Sequence, residues 1–155
     1  DAMYGGGGGD AYLRLLTDTL KPYIDGALPT RADATVLVGS SLGGLITAYA
    51  GLSRPQVFGR LGVMSPSTWW ANGWLIGKAK TAPIPPGGLL YIDSGDSGPS
   101  NDDVDETRAL AAAYREAGYR DGTNLLYVVQ AGAQHNERYW AERLPAALRF
   151  LLRGL

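Results

Sequence analysis

Ser41 and His135 are the pair in this chain whose residue types could do covalent chemistry together. A serine hydroxyl attacks a carbonyl carbon only when a base takes its proton, and imidazole is the side chain that titrates in the right range for that task. The sequence has a single histidine and no cysteine, so there is one imidazole to consider and no thiol nucleophile, disulfide framework or thiolate zinc site. Ser41 stands in Gly39-Ser40-Ser41-Leu42-Gly43, preceded by the apolar Val36-Leu37-Val38 and followed by a helical run. Gly-x-Ser-x-Gly between a strand and a helix reads as a nucleophile elbow, a sharp turn that lifts the hydroxyl above the carboxyl edge of a sheet. The helix that starts behind it favours negative charge at that point, and the Leu42 N–H is the expected oxyanion donor. Ser40 lacks the elbow position.

His135 lies in Gln130-Ala131-Gly132-Ala133-Gln134-His135-Asn136, just after the last strand-like run. Elbow folds place the base there, in the chain order serine, acid, histidine. The acid should then follow the third strand, in "YIDSGDSGPSNDDVDETRAL", residues 91–110. Asp93 belongs to the strand end. Asp103 and Glu106 have the spacing of an N-cap and its reciprocal acid, which gives Asp103 a structural reading. Asp102 is preferred as the acid, with Asp96 and Asp103 as alternatives. Calcium binding by this loop is disfavoured, because its spacing is not that of an EF-hand.

The elements that must hold these residues alternate along the chain. A helix is expected over residues 10–25 with Asp10 as N-cap, then strands at 35–38, 60–64, 89–92 and 124–129. Helices are expected at 42–52, 104–117 and 137–152, the last with Pro145 inside it, and a loop with a helical piece at 69–78. Strands alternating with helices, and apolar on both faces, indicate an α/β fold with a parallel sheet covered on both sides. The whole chain, 1–155, reads as a single domain, with residues 1–9 a glycine-rich flexible segment. Gly5 to Gly9 precede a helix, but no Gly-Lys-Ser/Thr follows, so a rim loop near the site is preferred over a phosphate cradle.

Fourteen basic and fifteen acidic side chains leave a net charge of −1, with no footprint for nucleic acid. No apolar run reaches membrane-spanning length. A soluble chain is expected, with the cytoplasm favoured only slightly and the compartment otherwise open. No metal or organic cofactor is expected.

"VGSSLGGLITAYA", "GVMSPSTWW", "YIDSGDSG" and "GAQHNERYWAERLPAALRFL" together resemble the bacterial putative-esterase family of α/β-hydrolases, whose relatives include enterochelin-type esterases, feruloyl esterases and S-formylglutathione hydrolases. The resemblance runs from about Asp10 to the end and implies a serine esterase with nucleophile Ser41 and base His135. Complete members carry further strands before the elbow strand, including the loop with the second oxyanion donor. This chain therefore corresponds to the C-terminal part of that fold, about four parallel strands with helices on both faces. The elbow strand is expected to be left as an apolar edge, which invites a homodimer.

Ser67, Trp69 and Trp70 follow the second strand and, with Ser40, are the expected substrate-binding residues. Tyr139 and Trp140 are expected to pack the last helix. The expected partner is a small or short-chain ester, with a thioester of the S-formylglutathione type as an alternative. The rival reading is a weak or inactive esterase-fold fragment that serves as a binding or association module.

Overall fold

The computed structural model describes residues 5–155. Four parallel strands, β1 (Val36–Ser41), β2 (Arg60–Pro66), β3 (Leu89–Gly95) and β4 (Leu125–Gln130), form one sheet in the order β1-β2-β3-β4. A helical stretch precedes them: α1 (Gly9–Arg14), a π-helical segment (Leu15–Leu20) and α2 (Lys21–Ala27). The wide turn comes just before Pro22, whose ring cannot sit under a carbonyl four residues back. Helix α3 (Leu42–Ser53) joins β1 to β2, α4 (Trp74–Ala79) lies between β2 and β3, α5 (Val104–Glu116) joins β3 to β4, and α6 (Glu137–Leu151) closes the chain.

The period-2 alternation of each strand sends its side chains into two cores. Leu61, Val63, Leu90, Ile92 and Leu125 face one side, packed with Ala48 of α3, Leu75 of α4 and Leu110 and Tyr114 of α5. Met64, Leu89 and Tyr91 face the other, where α6 brings Ala147, Phe150 and Leu151. The expected α/β sheet with helices on both faces is therefore present. Arg60, at the start of β2, donates to the carbonyls of Leu151 and Arg153 at 2.7 and 2.8 Å, which satisfies the open end of α6. Pro145 sits inside α6 at an exposed position and leaves the carbonyl of Ala141, itself an exposed residue, without its helical partner. Among the described residues, the outer edge of β1 pairs with no strand, and no helix is long and apolar enough to cross a membrane.

Two expected caps are not formed. Helix α1 begins at Gly9 with Gly8 as its N-cap residue, so Asp10 lies in the first turn and accepts the Tyr49 hydroxyl at 2.8 Å. Asp103 does hold the N-cap position of α5, but its backbone is left-handed (φ 49°) and its side chain makes no capping bond. Side-chain capping needs an extended residue at that position. Strands β1, β2 and β3 also run two or three residues further than their apolar cores predict, because the polar residues at their carboxyl ends stay paired while forming the site.

Gly62 is a point of β2 where a side chain would meet α6. A β-carbon there would stand 2.9 Å from both Val38 methyl groups and 3.1 Å from a Leu151 methyl. Gly62→Ala is expected to cost about 1–3 kcal/mol by overpacking. Urea unfolding checks this, and an unchanged midpoint would mean that α6 can give way.

Candidate functional site

Ser41 is the last residue of β1 and stands immediately before α3. Its backbone has φ 59° and ψ −123°, a conformation that costs energy for a residue with a side chain and persists only where its surroundings enforce it. Those surroundings are close-packed backbone. A β-carbon at Gly39 would overlap the Gly43 carbonyl, and one at Gly44 would stand 2.9 Å from the Met64 carbonyl oxygen. Gly43, by contrast, faces open space, so the two glycines that make room are Gly39 and Gly44. The Thr47 hydroxyl donates to the Gly43 carbonyl at 2.7 Å and holds the first turn of α3. The Leu42 N–H opens that helix and is among the first-turn donors without an intrahelical partner.

His135 reaches Ser41 because the loops after β3 and β4 interlock. Gly95, at the end of β3, has the Ala133 carbonyl where a side chain would go. The Ser97 N–H donates to that carbonyl at 3.0 Å, and Asp96 accepts the Gly132 N–H at 2.7 Å. The result is a hydrogen-bonded row. His135 Nε2 lies 2.9 Å from Ser41 Oγ, and His135 Nδ1 lies 2.6 Å from Asp102 Oδ1. Trp140 stands edge-on to the imidazole, with ring centroids 5.0 Å apart, and fixes its plane.

Of the three acids the sequence offered, Asp102 is the one placed on the imidazole. Asp96 serves the loop that carries His135, and Asp103 makes no hydrogen bond to it. Asp102 is fully buried, within a run of three left-handed residues, Asn101, Asp102 and Asp103. Its Oδ2 accepts the Ser65 hydroxyl at 2.7 Å and the Gly95 N–H. Burial pushes the carboxyl up, but the hydrogen bonds from His135, Gly95 and Ser65 outweigh it and hold Asp102 below the usual aspartate value. The hydrogen bond to Asp102 raises His135 above its ordinary 6.5, against the opposing effect of burial.

The expected substrate residues divide. Ser67 is buried with its Oγ 3.3 Å from Ser41 Oγ, and Ser40 is half-buried beside the turn. Trp70 lines a cavity of about 520 Å³ beside Leu42, whereas Trp69 is not among the lining residues. Gly6 to Gly9, Leu45, Ile46, Tyr49 and Trp74 complete most of the wall. The glycine-rich segment thus lies at the rim of the site, with Gly6 against the Trp70 indole.

The sequence reading missed Ser65, Asp93, Arg143, Tyr49 and Trp74 as site residues. Arg143 carried a signal: it falls on the apolar stripe of α6 with Trp140, Ala147 and Leu151, where a charge needs a buried partner. That partner is Asp93, whose Oδ2 is 2.9 Å from Arg143 Nε.

A parallel sheet with a strained serine ending one strand and a histidine after the last is the plan of an α/β-hydrolase. The chain belongs to the family described as "Putative esterase", which matches residues 2–151. It is 27% identical over 158 residues to the uncharacterized protein YbbA of Bacillus subtilis, covering 94% of this chain and 61% of that one. It is 36% identical over 83 residues to the iron(III) enterobactin esterase of Escherichia coli K12, covering 50% of this chain and 20% of the relative. Among solved structures, an enterobactin esterase from Shigella flexneri superposes with a TM-score of 0.74 at 27% identity, over 90% of this chain and 37% of that one. A ferulic acid esterase, at 18% identity and a TM-score of 0.76, covers 92% of this chain and 61% of its own, and shows a likeness of fold. The chain therefore spans about three fifths of YbbA and a fifth of the E. coli esterase.

Gly95→Ala should push the Ala133 carbonyl aside and draw His135 off Asp102. The hydrogen bond that raises His135 should weaken, so its titration should move down while the chain stays folded. Circular dichroism and an NMR pH titration of the single histidine check both halves. An unchanged titration would mean that the two loops are not rigidly coupled.

Proposed function

We propose that this chain is a serine ester hydrolase in which Ser41 is the nucleophile, His135 the base and Asp102 the acid. The observation that carries the reading is the row of 2.9 and 2.6 Å contacts joining the three, at a serine whose backbone is held in a strained turn. The family and the esterases among its relatives support the reaction class.

The reaction runs as acyl transfer in two stages. Ser41 Oγ attacks the ester carbonyl while its proton passes to His135 Nε2. The oxyanion forms against the Leu42 N–H at the start of α3. Asp102 Oδ1 keeps the Nδ1 proton in place and stabilises the imidazolium. His135 then gives its proton to the departing alcohol; in the second stage it takes a proton from the water that attacks the acyl carbon, and as that intermediate collapses it returns the proton to Ser41 Oγ and the acid is released. The cavity walled by Trp70, Tyr49, Trp74 and Leu45 suits the apolar or aromatic part of a small ester. Relatives named as a siderophore triacetylfusarinine C esterase and an iron(III) enterobactin esterase make a siderophore ester one candidate substrate. Among the described residues, the Leu42 N–H at the start of α3 is the donor this reading assigns to the oxyanion.

A fluorophosphonate probe should label Ser41 and no other serine, and Ser41→Ala should abolish both labelling and ester turnover. Ser41→Ala and His135→Ala should each cost up to about a millionfold, and the double variant little more than either, because the two act as a unit. Labelling without turnover would support the binding reading, and full activity in Ser41→Ala would overturn the assignment. Asp102→Asn should cost far more activity than Asp96→Asn.

The pH profile follows from His135. The neutral imidazole is the base, so the rate should rise with pH through the folded-state value, which lies above 6.5. In Asp102→Asn the hydrogen bond that raises it is lost, and the acid limb should move to lower pH. A limb that stays in place would mean that Asp102 does not act on His135.

A further inference from the structure

Arg143 is the charged residue on the buried stripe of α6, and no step of the reaction above uses it. Its guanidinium spans two buried carboxyl groups. Nε faces Asp93 Oδ2 at 2.9 Å, Nη2 donates to Ser65 Oγ at 2.8 Å and stands 3.7 Å from Asp102 Oδ2, and Nη1 donates to Gln130 Oε1 at 3.1 Å. Asp93 Oδ1 accepts the Ser65 N–H at 3.1 Å, so the same ion pair grips Ser65 from both its backbone and its side chain.

The direction of these bonds is fixed by chemistry. A guanidinium has donors and no acceptor, so Ser65 Oγ must accept from Arg143. The Ser65 proton is then left for Asp102 Oδ2, 2.7 Å away. With that oxygen also taken by the Gly95 N–H, only Oδ1 remains, and Oδ1 is the oxygen on His135. We propose that Arg143 is a positioning residue: by donating to Ser65 it turns the Ser65 hydroxyl onto Asp102 Oδ2 and so leaves Oδ1 as the oxygen presented to His135. This rests on reading Ser41, His135 and Asp102 as the catalytic row. The alternative is that Arg143 serves only to offset the burial of Asp93.

The ionisable groups around this layer are Tyr91 and Asp93 on β3, Asp102 and Asp103 on the following loop, Arg143 and Glu142 on α6, and His135 itself. The single histidine makes the imidazole readable by NMR without ambiguity. Two variants separate the readings: Ser65→Ala, which removes the hydroxyl and leaves both charges, and the double variant Asp93→Asn with Arg143→Met, which removes the buried pair together.

If Arg143 acts through Ser65, both variants stay folded, with the thermal midpoint of Ser65→Ala lowered because buried Arg143 and Asp102 each lose a partner. In both, kcat falls at least about tenfold with KM within about twofold, a part of the roughly 10⁴-fold that neutralising the acid costs in a serine protease. In both, the His135 titration moves down by about half a unit or more, because Asp102 no longer grips Nδ1. Loss of a nearby cation alone would move it up, so the sign of the shift decides. The proposal is overturned if His135 titrates at or above the parent value in either variant, or if kcat is retained. Should the double variant not fold, Ser65→Ala decides alone. The NMR titration needs no turnover, so it stands even if probe labelling shows that Ser41 is not the nucleophile.

Discussion

The carboxyl edge of this sheet is organised around one buried carboxylate. Asp102 has no exposure to water, and an ionised group in that position must find hydrogen-bond donors or lose its charge. It finds them from three directions: the Gly95 N–H at the end of β3, the Ser65 hydroxyl at the end of β2, and the imidazole of His135 beyond β4. Three separate chain segments are thus drawn to one point, and their positions fix one another. The left-handed run Asn101 to Asp103 is the backbone cost of bringing the carboxylate there, and it displaces the side-chain cap that α5 would otherwise have had. Helix stability is given up locally so that the acid can face inward.

The same need explains why the strands end as they do. Parallel strands buried on both faces are apolar for most of their length, and their sequence announces them. Their last residues, Ser40 and Ser41, Ser65, and Asp93 to Gly95, are polar or small, yet most of them are buried and remain in the ladder. Ser65 and Asp93 can do so because they hydrogen-bond to each other and meet Arg143 of α6. A reading based on hydropathy stops each strand where the polar residues begin, and so places the site in loops. In fact its framework is strand, which is more rigid.

The legible parts of the sequence were those with a local cause. The alternating elements, the sharp turn at Ser41 and the single imidazole after the last strand each follow from a short stretch of residues. Asp102 could be ranked above Asp96 and Asp103 but not separated from them, since all three lie on one loop and only the fold decides which turns inward. Asp10 and Asp103 had the spacing of caps, and the structure uses one to hold Tyr49 and leaves the other without a cap bond. Of the glycine pair in Gly-x-Ser-x-Gly, the second proved to face open space, while the next glycine meets β2. What stayed hidden were long-range partnerships. Ser65 and Arg143 are 78 positions apart, and each looks ordinary until α6 crosses the sheet.

Rigidity and openness are divided across the two sides of Ser41. On the His135 side, Gly95 against Ala133, Trp140 against the imidazole and the Asp93–Arg143 pair leave little room for movement. On the Leu42 side the wall is made of glycines from the segment before α1 and of indole and phenol rings from α3, α4 and the turn before it. The proposed proton transfer runs along contacts of 2.6 and 2.9 Å and tolerates little error, and close packing holds His135 and Asp102 at those distances. Holding an apolar group depends on area rather than direction, and a wall of rings and glycines can meet differently shaped apolar groups without disturbing the row behind it.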